Sequence, residues 1–389
     1  MKFKLIIFIL FTYTGSFSQQ VNLNKGKTPK DFFEIIQFEV VKNKIILPVT
    51  IADKTYRFIL DTGAPNMISN EIENLLQPKK AKIISITDSN NKTKPLKLIT
   101  LKNLKLGESE FRNIPTLVYD LKNDPIFKCF EIDGLIGSNM LRHSILKLDM
   151  QAKTLTLTDN TEKLILDRNN FEKIEYTDKQ SGPRIWVDLK GKDQGKELIL
   201  IDTGMSNLYS LSKTNYNILK TKDIFHIKGK STGASGLGLF GETSKNEHHK
   251  LLLPSLNLCN VNLRNVVTQT SDDDHSKIGS QILQYGTLTI DYKHKRLYFD
   301  TKSITIPVNY SDLGFSFSVK NENLIIGFVW DEKLKKQINY GDKVIAINDQ
   351  PINLCEVITS EIISKDTKTF TLKILPLKGR MFEMKLSKN

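Results

Sequence analysis

Hydrophobic and polar positions alternate along most of the chain, in apolar runs of about four to eight residues separated by turn-forming clusters. A period of two is typical of β-strands with one buried face. Predicted strands include Ile45–Ile51, Leu96–Leu106, Ile185–Leu189 and Ile304–Val308. The pattern predicts a mostly β protein with short helices, and its 389 residues are enough for two or three separate hydrophobic cores.

One phrase, an apolar strand that ends in Asp-Thr-Gly, occurs at Phe58–Gly63 and again at Leu200–Gly204, with the two aspartates 141 residues apart. Two further phrases follow each copy in the same order, both with an offset of 142 residues. The matched pairs are Ile136-Gly137 with Ile278-Gly279, and Leu146–Asp149 with Leu288–Asp291. A single Asp-Thr-Gly triplet arises by chance in roughly one chain in ten of this size. Three phrases at one spacing instead predict two homologous lobes.

These phrases resemble the catalytic loops of aspartic peptidases of the pepsin and retropepsin type, and the order of elements in each lobe is closest to the bacterial retropepsin-like group. The resemblance covers about Ile35 to Thr301 and implies a bilobal acid-protease β-barrel fold, with lobe one at 35–160 and lobe two at 170–302. It implies that Asp61 and Asp202 are the catalytic pair. Supporting roles fall on the residues after each aspartate and on the Ile-Gly segments behind them: Thr62, Gly63, Thr203, Gly204, Ile136, Gly137, Ile278 and Gly279.

The implied chemistry depends on pairing the two carboxyl groups. Two carboxylates at hydrogen-bond distance share one proton, so one member takes a proton from water while the other donates to the peptide carbonyl oxygen. In the family, Thr62 and Thr203 would hydrogen-bond across the lobe interface. No metal ion or cofactor is expected, and with both aspartates on one chain dimerisation is not required for catalysis. Lys277 departs from the apolar residue that the family has before its second Ile-Gly.

The residue after each glycine predicts the working pH. Pepsin-type enzymes have serine or threonine there, and its hydroxyl stabilises the carboxylate and lowers its pKa. This chain has Ala64 and Met205, which cannot donate a hydrogen bond from their side chains. We therefore predict a dyad that works at mildly acidic to near-neutral pH, and an optimum below about pH 3 would contradict this.

A glycine-rich stretch at Gly229–Glu242 lies between the Asp-Thr-Gly and Ile-Gly phrases of lobe two. A linker would have this composition, but the family places its flap here, a hairpin that closes over bound peptide. The resemblance therefore implies that the stretch binds substrate, through Gly233, Gly236 and Gly238. The matching stretch of lobe one, Thr87–Thr93, is polar and lacks glycine and tyrosine, and we expect it to be a shorter or less ordered flap.

The tail, residues 305–389, lies outside the repeat and resembles a PDZ domain. The resemblance rests on Asp312–Phe317 and on the Gly-Asp-x-Val phrase within Tyr340–Ile352. It implies that a peptide C-terminus binds the loop and that the peptide adds as a strand beside Phe315–Val319. The residues implied in binding are Leu313, Gly314 and Phe315. A small β domain of another kind is the alternative.

The N-terminus has the layout of a secretory signal peptide, residues 1–18. Lys2 and Lys4 precede an apolar run, Leu5–Tyr13, which is too short to span a bilayer as a stable anchor, and small residues lead to a cleavage site after Ser18. The expected location is the periplasm or the outside of the cell.

Charge and polar clusters add little. The net charge of +13 comes from lysines spread along the whole chain without an arginine cluster, so nucleic-acid binding is not expected. Two clusters, Glu247–His249 and Asp272–His275, have metal-capable side chains, but adjacent loop residues do not converge on one ion. The odd set of Cys129, Cys259 and Cys355 suggests no disulfide framework, although one bridge stays open, and we expect three small buried side chains.

Two function classes remain after the sequence alone. The first is an exported aspartic endopeptidase that acts on polypeptides and whose PDZ domain recruits or regulates. The second is a non-catalytic protein that retains the bilobal fold and binds peptides in the cleft and at the PDZ pocket. The presence of both aspartates favours the first.

Overall fold

A computed structural model describes residues 21–177, 179–234, 237–310, 312–360, 363 and 367–387. The predicted signal peptide and Gly236 of the predicted flap lie outside these residues. No helix in the described part is both long and apolar enough to cross a bilayer. Likewise, none of its groups of histidine, cysteine, aspartate and glutamate could hold a metal ion.

Lobe one is almost entirely β structure, as the alternating pattern predicts. Its short helices are α1 (Asn70–Leu76), α2 (Pro125–Phe130) and α3 (Ser138–Leu141). Its strands are β1 (Phe33–Gln37), β2 (Glu39–Val41), β3 (Lys44–Ile51), β4 (Lys54–Asp61), β5 (Met67–Ser69), β6 (Ala81–Thr87), β7 (Thr93–Leu106), β8 (Ser109–Tyr119), β9 (Gly134–Gly137), β10 (Ile145–Asp149) and β11 (Thr154–Thr158).

Lobe two repeats this design with one helix, α4 (Lys213–Leu219). Its strands are β12 (Glu172–Lys173), β13 (Glu175–Tyr176), β14 (Pro183–Lys190), β15 (Gln194–Asp202), β16 (Tyr209–Ser212), β17 (His226–Gly233), β18 (Leu237–Gly238), β19 (Gly241–Glu242), β20 (Asn246–Leu258), β21 (Val261–Ser271), β22 (Lys277–Gly279), β23 (Gly286–Asp291), β24 (Arg296–Thr301) and β25 (Thr305–Pro307).

The sheets of the two lobes have the same topology. Lobe one has the order β2-β3-β4-β9-β5-β8-β7-β6, and lobe two has β13-β14-β15-β22-β16-β21-β20-β17. Even the extra pairing of β3 with β7 has its counterpart in β14 with β20. The repeated phrases therefore mark two copies of one fold, with buried strands β4 and β15 in equivalent places.

A separate six-stranded sheet joins the lobes in the order β1-β11-β10-β23-β24-β12. At its centre β10 and β23, the third repeated phrase of each lobe, pair antiparallel, with Leu146 opposite Ile290 and Leu148 opposite Leu288. The leucine and isoleucine side chains on these strands are buried, and one continuous apolar core runs through both lobes. This shared sheet fixes the two Asp-Thr-Gly turns relative to each other.

The C-terminal domain has its own apolar core, with strands in the order β26-β27-β28-β30-β31 and β29 paired to β28. Its elements are β26 (Phe315–Lys320), β27 (Asn323–Val329), β28 (Lys343–Ile347), β29 (Gln350–Pro351), β30 (Thr369–Leu375), β31 (Phe382–Ser387) and helix α5 (Leu354–Thr359). The predicted start of this domain at residue 305 is too early, because β25 pairs with β21 of lobe two and Ile306 packs against the core of the lobes.

The cysteine prediction was wrong for two of the three residues. Cys259 is buried and free as expected, but Cys129 and Cys355 form a disulfide that joins α2 of lobe one to α5 of the C-terminal domain. The two cysteines are 226 residues apart, and their pairing depends on how the domains dock. No local spacing in the sequence indicates that docking.

Candidate active site

Each Asp-Thr-Gly turn follows a buried strand and is supported from behind by the Ile-Gly segment of its own lobe. The pairing is parallel: Asp61 on β4 lies opposite Gly137 on β9, and Asp202 on β15 lies opposite Gly279 on β22. A Cβ atom added to Gly137 would lie 2.4 Å from the backbone nitrogen of Asn66, so any larger residue would push the turn away. The Ile-Gly segments therefore lie directly beside the two aspartates, and the supporting role of their four residues stays a prediction.

Two buried threonines connect the turns across the lobe interface. The amide of Thr62 donates to Oγ1 of Thr203 at 3.1 Å, and the amide of Thr203 donates to Oγ1 of Thr62 at 3.0 Å. Each hydroxyl in turn donates to a carbonyl of the opposite lobe, Thr62 to Ile201 at 2.6 Å and Thr203 to Leu60 at 2.8 Å. The two turns are held by four reciprocal hydrogen bonds, as the resemblance implied.

Each carboxyl group lies against the glycine of the opposite turn. A Cβ atom on Gly63 would lie 2.6 Å from Cγ of Asp202, and one on Gly204 would lie 2.3 Å from Cγ of Asp61. The carboxyl groups also accept hydrogen bonds from their own turns, Asp61 from the amide of Gly63 at 3.0 Å and Asp202 from that of Met205 at 3.1 Å. Glycine is required at both positions because the carboxyl group of the opposite aspartate occupies the space that a side chain would need.

Two serines that the sequence reasoning missed also hold the turns. Ser138 donates from Oγ to the carbonyl oxygen of Thr62 at 2.6 Å and contacts the hydroxyl of Tyr292 at 2.8 Å, while Ser280 donates to the carbonyl oxygen of Met205 at 3.0 Å. The signal was present in the sequence, because each Ile-Gly is followed directly by serine.

Two lysine side chains make direct contacts with the second turn. Lys277 forms ion pairs with Oδ2 of Asp202 at 2.9 Å and with Oδ2 of Asp273 at 2.8 Å. Lys44, which begins β3 in lobe one, reaches across the interface and donates to the carbonyl oxygen of Gly204. The corresponding carbonyl of turn one, that of Gly63, accepts from the neutral amide of Gln180 at 2.7 Å.

One part of the chain, within lobe one, matches a known protein family. Residues 47–140 match the aspartyl protease family. The matched part of lobe one runs from β3 through α3 and includes Asp61 and its support segment Leu135–Gly137. No curated protein sequence matched the chain. For lobe two, the equivalence with this aspartyl protease domain comes from the internal repeat and the shared strand order.

The two aspartates of the aspartyl protease fold differ in acidity. Burial and the charge of Asp202 raise the pKa of Asp61 to about 7, against the opposing charges of Lys44 and Lys277. Burial acts on Asp202 in the same direction, but the charge and hydrogen bond of Lys277, with help from Lys44, outweigh it and lower its pKa. Burial and the two lysines set these directions, and the near-neutral working pH expected from Ala64 and Met205 stays a prediction.

The glycine-rich stretch of lobe two is a hairpin rather than a linker. Its arms β17 and β20 pair along their length, and Gly233 pairs with Asn246 before the tip strands β18 and β19, which contain Gly238. The tip reaches lobe one, where Phe240 is 5% exposed and joins a cluster whose other buried members, such as Leu117 and Leu135, are lobe-one residues.

The polar stretch of lobe one is a hairpin with a shorter tip than that of lobe two, in line with the expectation of a shorter flap. Strands β6 and β7 pair through Thr87 opposite Thr93. Its turn contacts the other flap: Oδ2 of Asp88 accepts from the amide of Phe240 at 2.9 Å, and Asn90 donates to the carbonyl oxygen of Gly241 at 3.3 Å. The two hairpins therefore contact each other near their tips.

The C-terminal domain contacts both lobes. The amide of Val329 on β27 donates to Oγ of Ser231 in the lobe-two flap at 3.0 Å. On the other side, Lys42 of lobe one donates to the carbonyl oxygen of Val357 on α5 at 2.8 Å, next to the disulfide. The domain thus contacts strand β17 of lobe two through β27, and lobe one through α5.

The predicted peptide-binding loop precedes β26. Gly314 has a φ of +74°, and its amide donates to Oδ1 of Asp312 at 2.8 Å. The side chain of Phe315 is buried in the domain core, and Leu313 packs against that core. Within the described residues β26 pairs with β27 alone, so its outer edge is open. The binding role of Leu313, Gly314 and Phe315 stays a prediction.

Proposed function

We propose that the chain is an exported aspartic endopeptidase that hydrolyses peptide bonds with a water molecule activated between Asp61 and Asp202. The observation that carries the proposal is the reciprocal set of hydrogen bonds between Thr62 and Thr203, which holds the two turns face to face. The aspartyl protease match at residues 47–140 supports the same chemistry.

The two aspartates take different roles in this mechanism. Asp202 is the ionised member and takes a proton from the attacking water, and Asp61 is the protonated member and donates to the carbonyl oxygen of the scissile bond. Two carboxyl groups that lie side by side share one proton, because two neighbouring negative charges repel each other. The peptide nitrogen leaves as the amine after a second proton transfer.

The substrate is an extended polypeptide that lies in the cleft under the two flap hairpins. In this proposal the lobe-two flap, with Gly233, Gly236 and Gly238, closes over the peptide backbone. The apolar pocket of lobe one that now holds Phe240 has the size and lining for a large apolar side chain. The flap tip therefore has to leave this pocket before such a side chain enters.

The C-terminal domain is proposed to be a PDZ domain that recruits polypeptides by their C-termini or regulates the cleft. The open edge of β26 supports strand addition. The contact of Val329 with the flap residue Ser231 supports a regulatory role, because a ligand that moves β27 would act on the flap.

Export is proposed from the signal-like residues 1–18, and the location is the periplasm or the outside of the cell. The disulfide between Cys129 and Cys355 supports an oxidising compartment, since such bonds persist outside the cytosol.

The test is cleavage of a denatured protein mixture by the mature chain at pH 3 to 8, with fragments read by mass spectrometry. Asp61→Asn and Asp202→Asn are assayed beside the parent, and thermal unfolding checks that all three are folded. We expect cleavage by the parent and loss of at least about a thousandfold in each variant, because the pair acts as a unit. Equal cleavage by all three would exclude the dyad.

A second function is favoured by one observation. Lys277 forms an ion pair with an oxygen of Asp202, and the side chain of Phe240 fills the lobe-one pocket, so the cleft is closed in this structure. A non-catalytic peptide-binding protein with the same fold would have this arrangement permanently. A folded parent that cleaves nothing at any pH but retains peptides from the same mixture would favour this alternative.

A further inference from the structure

The two Asp-Thr-Gly turns are equivalent in backbone and differ in charge. Parallel pairing places Leu135 opposite Ile59 in lobe one and Lys277 opposite Leu200 in lobe two. Leu135 is buried among apolar side chains, whereas Lys277 places its ammonium group on an aspartate of the dyad. One residue of the support strand therefore changes from leucine to lysine between the lobes.

Lys277 is held in place from two sides. Its side chain is 15% exposed and bridges Asp202, 8% exposed, and Asp273, 13% exposed. Asp273 lies in the loop before β22 and has no counterpart at the dyad in lobe one. An ammonium group that is desolvated to this degree is tolerated because it has two carboxylate partners.

We propose that Lys277, held by Asp273, is a positioning residue that makes Asp202 the ionised member of the pair and leaves the shared proton on Asp61. This inference rests on the proposed function and deepens it, since it assigns the two chemical roles. Without a neighbouring cation, two carboxyl groups related by an approximate two-fold axis bind the shared proton with equal affinity.

Other charged groups face the pair and modify this effect. Lys44 comes from β3 and its charge acts on both aspartates, Asp273 partly neutralises Lys277, and the Tyr292 hydroxyl lies on the Asp61 side. Only Lys277 makes a direct ion pair with one carboxylate and none with the other among the described contacts. At a separation of 2.9 Å it has the stronger influence on which group ionises.

The chain itself supplies the matched variant. Lys277→Leu gives lobe two the residue that lobe one has at Leu135. Lys277→Arg keeps the positive charge, and Asp273→Asn removes the second partner. Lys192→Leu, on an exposed ion pair, removes the same charge far from the cleft and serves as the control.

The first measurement is the pH profile of kcat/KM between pH 3 and 8 on a peptide from the cleavage map. We expect Lys277→Leu to move both limbs of the profile to higher pH by one unit or more, which lowers kcat/KM about tenfold on the acidic limb. Lys277→Arg and Lys192→Leu keep the parent profile, and Asp273→Asn changes it less than Lys277→Leu. Unchanged limbs in a folded Lys277→Leu variant would overturn the inference.

The second measurement does not depend on activity. Carbon-13 NMR of the aspartate carboxyl groups, with signals assigned by Asp61→Asn and Asp202→Asn, follows each group through the same pH range. The inference requires Asp202 to stay ionised below the pH at which Asp61 takes up its proton, and requires this order to weaken in Lys277→Leu. A parent that cleaves nothing but shows this order would remove the proposed function and retain the inference; the reverse order would overturn it.

If Lys277→Leu does not fold, Lys277→Met keeps the length of the side chain without its charge, and the same two measurements apply. In that variant too, the inference requires the order of ionisation to weaken, and an unchanged order would overturn it.

Discussion

The two lobes share one backbone plan, yet they treat their aspartates differently. In lobe one the support strand has the apolar Leu135, and the carbonyl oxygen of Gly63 in turn one accepts from the amide of Gln180. Asp202 pairs directly with Lys277, and the carbonyl oxygen of Gly204 in turn two accepts from Lys44 of lobe one, whose charge acts on both aspartates. The internal repeat therefore gives the two turns one backbone plan, and single side chains make their electrostatics unequal.

The largest expected effect concerns what the lobes share. Thr62→Val and Thr203→Val each leave a buried amide and a buried carbonyl of the opposite lobe without a partner, at about 1–3 kcal/mol for each group. We expect both variants to lose about 2–5 kcal/mol in the free energy of unfolding, measured in urea. Thr55→Val, at an exposed position of β4, is the control. A large difference between the two threonines would show that the turns are not equivalent.

The two hairpins test a second difference between the lobes, since in the described residues the lobe-two hairpin places the side chain of Phe240 in an apolar cluster of lobe one. Phe240→Ala removes that side chain from its apolar cluster, while the hydrogen bond from its amide to Asp88 can remain. We expect amide hydrogen exchange in β17–β20 to rise at least about tenfold near the tip, because local opening there becomes easier. Exchange in the lobe-one hairpin, β6–β7, should change less.

For the proposed peptidase activity, the same variant should lower KM for long peptides, because the lobe-two hairpin no longer competes for the lobe-one pocket. An unchanged exchange rate and an unchanged KM would mean that Phe240 does not hold the flap closed.

The smallest expected effect is on stability, to which the two aspartates contribute with opposite pH dependence. The pKa of Asp61 is raised to about 7, so the folded chain retains a proton that the unfolded chain releases, and this contribution to stability decreases as pH rises from about 4 to 7. The pKa of Asp202 is lowered, so its contribution is present at neutral pH and is lost as pH falls through the lowered value.

At pH 8 we therefore expect Asp61→Asn to raise Tm and Asp202→Asn to lower it, with a difference of about 4 °C or more between them. The gain from Asp61→Asn should shrink by pH 4, where the parent is already protonated at this position. Calorimetry at both pH values measures this, and equal shifts in the two variants would contradict the asymmetry.

Much of the fold and the core of the site follow from the sequence, because strand alternation and the repeat depend on local residue order. The repeat that contains Asp61, Asp202 and the Ile-Gly segments is recognisable from spacing, and their roles come from the family resemblance. Lys277 was visible only as a departure from that pattern, since its partner Asp273 belongs to an acidic run for which the sequence indicated no role. Within that run Asp272 pairs with Lys213 and Asp273 with Lys277, which are contacts between elements.

The domain contacts were also beyond the sequence. The pairing of Cys129 with Cys355 and the insertion of Phe240 into lobe one each depend on how two separately folded units meet. The alternation of buried and exposed residues within one strand does not indicate which other domain that strand contacts. The sequence predicted that β26 is a strand, but it did not indicate which residues of the rest of the protein lie near it.

The disulfide also changes the topology of the molecule. It closes a covalent ring that runs from Cys129 to Cys355 and contains all of lobe two. A single break of the backbone anywhere within the ring opens it but leaves both pieces attached through sulfur. Damage to lobe two, including any cut that the protein makes in itself, would thus be invisible on a gel run without reductant and would appear as two fragments once the ring is reduced.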